Sequence, residues 1–136
     1  MVAAVCGWHE HHVSAREEIE RRLRRTEAMI VAAPALVEAY SVLTRLPPPH
    51  RLAPADAVAV LDASFMRAAR IVTLNGGAYR RLLREAPASG IAGGRVYDAV
   101  IAACVLTARE TALLTFNAAH FRLFEASGLE VVVPGS

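Results

Sequence analysis

Four short apolar segments constrain the fold more than any other feature of this sequence. They cover residues 29–32, 70–74, 112–115 and 129–133. Segments this short and this rich in Val, Ile and Leu are typical of buried strands. The chain between them carries helical spacing and helix-start signals. Because apolar strands that alternate with helices imply a parallel sheet covered on both faces, we predict an α/β fold: a three-layer α/β/α sandwich forming a single domain over residues 1–136.

Composition excludes several classes of protein. Apolar residues make up 54% of the chain and charged residues 21%, which is too apolar for an intrinsically disordered protein. No apolar run reaches 18 residues without a charge, so we expect no membrane span and a cytoplasmic location. The net charge of +2 argues against nonspecific coating of nucleic acid. Cys6 and Cys104 form no paired framework and are interpreted as buried hydrophobes.

The predicted helices follow the same order along the chain. They cover residues 15–25, 36–46, 54–66, 79–85 and 96–108, with a short helical turn ending at Phe121. A capping-box spacing from Ser14 to Glu17 marks the start of the first helix. The 96–108 helix is apolar on every side, which indicates a buried helix.

Four oxygen-bearing side chains follow the predicted strands. Glu38 comes after the 29–32 strand, Thr115 ends the 112–115 strand, and Asn117 follows it directly. Asp98 lies at the start of the apolar 96–108 helix. Since active sites of doubly wound sheets lie at the carboxyl ends of the strands, we expect these side chains to share one rim.

Two carboxylates among apolar neighbours are costly to bury unless they are paired or bind a metal. Two converging carboxylates repel unless a cation lies between them. Oxygen ligands favour hard ions such as Mg²⁺ or Mn²⁺, which accept phosphate oxygens. Glu38 and Asp98 therefore predict a site for metal-assisted phosphodiester hydrolysis.

Each of these residues also has a structural interpretation. Asp98 has the position of a helix cap, Glu38 of an ion-pair partner for Arg45, and Asn117 of an N-cap for the turn that follows it. If all three were structural, the chain would be an unrelated small α/β domain.

Three ordered motifs resemble the PIN-domain ribonucleases, particularly VapC-type toxins. They are PALVEAYSVLTRLP at residues 34–47, GGRVYDAVIA at 93–102 and LLTFNAAHF at 113–121, and VVVP at 131–134 fits the family's last strand. The resemblance implies a Mg²⁺- or Mn²⁺-dependent endoribonuclease, the toxin of a type II toxin–antitoxin pair. It also implies an RNA substrate, a homodimer and inhibition by a cognate antitoxin.

The motif matches imply roles for individual residues. Glu38 and Asp98 would ligate the metal, Asn117 would complete the cluster or hold a water on the metal, and Thr115 would orient the site. Arg45, Arg95 and His120 are candidate phosphate contacts.

One departure from the family pattern stands at the N-terminus. The family opens with a central strand that ends in a metal-binding Asp, whereas no Asp precedes Asp56 here. Residues 1–9 resemble the segment just after that motif. Either the natural start lies upstream of Met1, or this variant lacks the first central strand and one ligand. In the second case an antitoxin strand, a partner subunit or residues 1–6 refolded as a strand would fill the gap.

The second case also defines an alternative function. A catalytically impaired PIN-like module would act as a binding protein for antitoxin or RNA, with weak or absent nuclease activity.

Two further clusters have competing interpretations. Cys6, His9 and His12 suggest a transition-metal site but match no familiar zinc pattern, and a solvated helix entry is the alternative. The arginines at positions 21, 22, 24 and 25 are interleaved with glutamates. They predict either an RNA track or a solvated helix with i,i+4 ion pairs.

Overall fold

The computed structural model describes all residues from 1 to 136. The chain forms two compact units. The first unit comprises Met1–Ile71 with Gly135, and the second comprises Val72–Pro134 with Ser136. None of the helices has the length and hydropathy needed to span a bilayer.

The first unit is mainly helical. Its elements are α1 (Val2–Val5), α2 (His12–Arg24), β1 (Ile30–Ala32), α3 (Ala33–Arg45), α4 (Pro54–Leu61) with a π-helical continuation (Asp62–Met66), and β2 (Arg70–Val72), whose last residue begins the second unit. The backbone N–H of Arg70 donates to the carbonyl of Met29 at 2.9 Å, and β1 and β2 form a two-stranded sheet.

The helix α3 begins directly after β1, three residues earlier than its spacing predicts. Pro34 was expected to end the strand and to precede the helix, but it lies in the first turn of α3. The first turn tolerates proline because its N–H groups have no intrahelical partner. As a result, Glu38 lies in the second turn of α3.

An apolar cluster holds the first unit together. Its buried members are Cys6, Val31, Ala39, Leu43, Ala57, Leu61 and Phe65. These residues come from β1, α3, α4 and the π-helical turn, with Cys6 at the end of α1. The core therefore fixes α3, the helix that carries Glu38.

The second unit carries the remaining elements. They are α5 (Gly76–Glu85), α6 (Arg95–Thr107), β3 (Ala112–Leu114), α7 (Ala118–Phe121), a 3₁₀ segment (Arg122–Ser127) and β4 (Glu130–Val132). The strands β3 and β4 are parallel, with Leu113 opposite Val131. Buried Ala102, Val105, Phe121 and Leu129 form the core between α6, α7 and β4.

Several predictions about the elements are corrected. The 1–6 segment is not a strand, because Val2–Val5 is helical. The strand β2 is not buried: Arg70 is exposed and Ile71 is 46% exposed. The helix α6 is not buried on every side, since Tyr97 is 67% exposed. The helix α5 begins at Gly76 rather than Tyr79, because the Asn75 side chain accepts a hydrogen bond from Ala78 N–H at 2.8 Å and caps it.

The general fold prediction is confirmed at the level of an α/β fold with parallel strands. Strands and helices alternate along the chain as expected. The four strands form two two-stranded sheets, ordered β1–β2 and β3–β4.

Both cysteines are free and buried, as the sequence predicts. Burial raises the pKa of the Cys6 thiol and of the Cys104 thiol. These thiols therefore behave as small apolar core groups.

Candidate active site

Asp98 lies in the first turn of α6 but does not cap the helix. The N-cap position is Gly94, and no side chain makes a cap hydrogen bond there. The Asp98 side chain is 22% exposed, and its Oδ2 lies 3.1 Å from Nδ1 of His120. The cap interpretation of Asp98 is therefore wrong, and its one side-chain partner is a histidine 22 residues further along the chain.

The segment after β3 holds Thr115 and Asn117 in a fixed local geometry. The Thr115 N–H donates to the carbonyl of Val132 at 3.0 Å, which ties the segment to β4. The Asn117 N–H donates to Oγ1 of Thr115 at 3.0 Å. Thr115 therefore positions the backbone of Asn117 through its hydroxyl.

The Asn117 side chain is not used as a helix cap. Asn117 occupies the N-cap position of α7, but its side chain makes no cap hydrogen bond. The backbone carbonyl of Asn117 accepts a hydrogen bond from the backbone N–H of His120 at 2.9 Å. The exposed amide side chain of Asn117 is thus free to contact a ligand. It lies one turn from His120, the residue that pairs with Asp98.

Glu38 in the first unit is exposed and makes no hydrogen bond or ion pair. The expected pairing with Arg45 is absent, so that interpretation is wrong. Burial lowers the pKa of the Met1 α-amino group, and the nearby Glu38 carboxylate acts in the opposite direction. Glu38 therefore lies near the start of α1 with no structural role in α3.

The expected burial of the two carboxylates is also wrong. Glu38 is exposed and Asp98 is partly exposed, and no polar or charged residue belongs to the buried core. The desolvation cost of the Glu38 and Asp98 carboxylates is therefore smaller than their apolar sequence neighbours predict. Glu38 lies in the first unit and Asp98 in the second, and the meeting of their carboxyl groups stays a prediction.

The arginines expected to contact phosphate are exposed. Arg45 and Arg95 are exposed, and neither forms an ion pair. None of the six arginines between residues 72 and 134 is ion-paired. These cations are therefore available to an anionic ligand.

The arginine cluster on α2 has a structural role instead. The Glu18 side chain, 12% exposed, pairs with Arg21 and Arg22. The hydrogen bond from Arg21 lowers the pKa of Glu18 to about 2, with Arg22 acting in the same direction. At Arg21 and Arg22 this network matches the solvated helix with ion pairs.

The histidine-rich segment also uses its side chains locally. Nδ1 of His12 lies 2.9 Å from the carbonyl of Ala3, and Nδ1 of His9 accepts from the His11 N–H at 3.1 Å. Trp8 stacks on His50, with ring centroids 4.1 Å apart. No group of three or more His, Cys, Asp or Glu side chains is arranged to hold a metal ion.

A cavity of about 480 Å³ lies in the second unit, lined by α5, α6 and the 3₁₀ segment. None of the candidate site residues lines it. Ten of its fifteen lining residues are apolar, and Arg81 and Glu85 are among the polar ones. The chemistry argued from the sequence therefore lies elsewhere, on the segment after β3 and at the start of α6.

The pairing of His120 with Asp98 was not predicted, since His120 was expected only as a phosphate contact. The sequence signal is weak: His120 follows Asn117 by three residues, so it lies on the same turn as a predicted site residue. The packing of α7 against α6, which brings it to Asp98, cannot be derived from that spacing.

The second unit thus places an Asp–His pair beside the turn that carries exposed Asn117, within an α/β fold that has parallel strands. The PIN domain family model matches residues 1–125. The chain is 37% identical to Ribonuclease VapC40 of Mycobacterium tuberculosis (strain CDC 1551 / Oshkosh) over 101 residues, which cover 74% of this chain and 69% of the relative. It is 35% identical to Ribonuclease VapC27 of Mycobacterium tuberculosis (strain ATCC 25618 / H37Rv) over 131 residues, covering 96% and 82%.

The chain therefore belongs to the PIN-domain family and is of the VapC type. This confirms the resemblance drawn from the three motifs.

Proposed function

We propose that this chain is a divalent-metal-dependent endoribonuclease and the toxin of a type II toxin–antitoxin pair. The observation that carries the proposal is that Glu38, Asp98 and Asn117 do not have the structural roles that the sequence offers for them, namely an Arg45 ion pair and two helix caps. Glu38 has no ion pair, Asp98 does not cap α6, and the Asn117 side chain does not cap α7. Polar side chains that lie at the positions of the family motifs and have neither the cap nor the Arg45 pairing role are more consistent with a ligand site than with a structural role.

The donor chemistry fits Mg²⁺ or Mn²⁺. Asp98 Oδ1 and the Asn117 side chain are oxygen donors without a protein partner. The absence of a cluster of three His, Cys, Asp or Glu residues argues against a closed zinc site, and Mg²⁺ often uses one or two carboxylates and retains water. In this proposal Glu38 and Asp98 hold the ion and Asn117 completes the set. When bound, such an ion activates water and neutralises charge on the scissile phosphate.

In this proposal Thr115 orients the site, and Arg45 and Arg95 bind the RNA. Thr115 fixes, through its hydroxyl, the backbone from which the Asn117 side chain extends. Arg45 and Arg95, exposed and without ion pairs, contact backbone phosphates of the RNA. Because phosphate contacts release counterions, RNA affinity should fall as salt is raised.

The proposal extends to architecture and partners. Since the family model spans both units, we propose one domain over residues 1–136 with the three-layer α/β/α architecture of a PIN domain. The VapC relatives support a cognate antitoxin, an RNA substrate, a homodimer and a cytoplasmic location for this chain.

The test is RNA cleavage by the full chain carrying Asp98→Asn. The asparagine keeps the size of the side chain and removes its charge, so cleavage with Mg²⁺ should fall at least about a thousandfold. Asp56→Asn is the matched control, because Asp56 is an exposed acid in the first turn of α4 with no partner. It should leave cleavage unchanged.

Three results separate the alternatives. Wild-type cleavage by Asp98→Asn contradicts the proposal. RNA or antitoxin binding by a wild-type chain that does not cleave RNA with either ion would support the impaired binding module instead. A loss of thermal stability in Asp98→Asn but not in Asp56→Asn would favour the interpretation that Asp98 has a purely structural role.

A further inference from the structure

His120 has a specific relation to Asp98. Its Nδ1 lies 3.1 Å from Asp98 Oδ2, and this is the only polar side-chain pair within the second unit that contains a carboxylate. A carboxylate that binds a cation has no hydrogen to donate, so the bond requires the tautomer with hydrogen on Nδ1. His120 is then the donor, and Oδ2 is the acceptor.

The core of the second unit holds His120 in place. Its N–H donates to the carbonyl of Asn117 at 2.9 Å. The next residue, Phe121, is 5% exposed and packs in the cluster that contains Ala102 and Val105 of α6. The turn that carries His120 is therefore anchored to the helix that carries Asp98.

The hydrogen bond leaves the two oxygens of Asp98 unequal. Oδ2 accepts from His120, whereas Oδ1 has no protein partner. A carboxylate engaged at one oxygen is disfavoured as a two-oxygen ligand, because rotating it to present both oxygens would break the bond. Ca²⁺ takes mono- or bidentate carboxylates in flexible geometry, while Mg²⁺ requires a near-octahedral arrangement of single oxygens.

We propose that His120 is a positioning residue that makes Asp98 a one-oxygen ligand and thereby favours Mg²⁺ over Ca²⁺. This inference rests on the metal site of the proposed function and deepens it by assigning the choice of ion. Outer partners of metal ligands commonly have this orienting role.

The experiment measures Mg²⁺ and Ca²⁺ affinity of the full chain by isothermal titration calorimetry. His120→Asn places an amide N–H near the position of Nδ1, and His120→Gln places one near the position of Nε2. Both replacements are polar and occupy a side-chain position that is 54% exposed. Thermal unfolding of each variant, followed by circular dichroism, verifies that the fold is retained.

We expect His120→Gln to weaken Mg²⁺ binding about tenfold and Ca²⁺ binding by less, so that the preference for Mg²⁺ narrows. The affinities of His120→Asn for Mg²⁺ and for Ca²⁺ should equal those of the wild type. An unchanged Mg²⁺ to Ca²⁺ preference in His120→Gln would overturn the inference. So would wild-type Mg²⁺ binding in His120→Gln combined with a loss in His120→Asn, which would make Nε2 the important atom.

Asp98→Asn separates this inference from the proposed function. If Asp98→Asn binds Mg²⁺ as the wild type does, the metal site itself is wrong. If Asp98→Asn loses Mg²⁺ while both His120 variants bind like the wild type, the metal site holds and only the role of His120 fails.

Discussion

The two units use their charged side chains in different ways. In the first unit, glutamates and arginines of α2 neutralise one another, and Arg67 pairs with Asp62. In the second unit no arginine is ion-paired, and the only pair that contains an acid joins Asp98 to His120. The charges of α2 thus stabilise structure in the first unit, whereas the arginines of the second unit are left available for a ligand.

The two units also differ in packing. Leu43 is fully buried in the core of the first unit. In the second unit α5 has no buried residue, Leu83 is 59% exposed and a cavity lies beside the helix. We expect local openings to be easier around α5 than around α3, since few buried contacts hold α5 in place.

The largest expected effect is that of Leu43→Ala. Removing a fully buried leucine should lower the free energy of unfolding by about 2–5 kcal/mol, measured by urea denaturation. If the units form one cooperative domain, hydrogen exchange of the β3 amides should accelerate by the same free energy. Leu83→Ala is the matched control and should cost under about 1 kcal/mol. If the hydrogen-exchange rates of the β3 amides are the same in Leu43→Ala and in the wild type, the two units unfold separately.

A smaller effect is expected from Glu18→Gln, which tests the structural use of charge in the first unit. Because the arginines lower the pKa of Glu18 to about 2, the ionised form stabilises the fold above pH 4.5, and this contribution is lost as pH falls towards 2. After allowance for solvent screening, Glu18→Gln should cost about 1–2 kcal/mol at pH 7.

The pH series supplies the control for Glu18. The stability difference between wild type and Glu18→Gln should shrink between pH 4.5 and 2, as measured by urea denaturation at each pH. A difference that is the same at pH 3 and pH 7 would contradict the role of this ion-pair network.

The smallest stability effect compares two asparagines at N-cap positions. Asn75 caps α5 through its side chain, whereas Asn117 makes no such bond in α7. Asn75→Ala should cost about 1 kcal/mol and leave RNA cleavage intact. Asn117→Ala should barely change thermal stability and should reduce cleavage. The reverse pattern would remove Asn117 from the proposed site.

The sequence predicted the order and type of most elements, since apolar residues recur at different spacings in buried strands and in amphipathic helices. The 54–66 helix and the 112–115 strand lie close to their predicted bounds. The start of α3 was missed because Pro34 is compatible with a first helical turn. The start of α5 was missed because two glycines mask the cap made by Asn75.

The geometry around the candidate site residues was predicted less completely than the fold. Motif spacing made Asp98 and Asn117 candidates, and their membership of a metal site stays a prediction. The two carboxylates were expected to be buried, whereas Glu38 is exposed. Local spacing carries no information about a bond across 22 residues, so the pairing of His120 with Asp98 required the packing of α7 on α6.

Manganese binding to the full chain tests most directly whether Glu38 and Asp98 hold the same ion. Calorimetry would compare the wild type with Glu38→Gln and Asp98→Asn. We predict one Mn²⁺ binding event, weakened at least about tenfold by either substitution. Wild-type Mn²⁺ affinity in Glu38→Gln, or two separate events each abolished by one substitution, would contradict a shared ion.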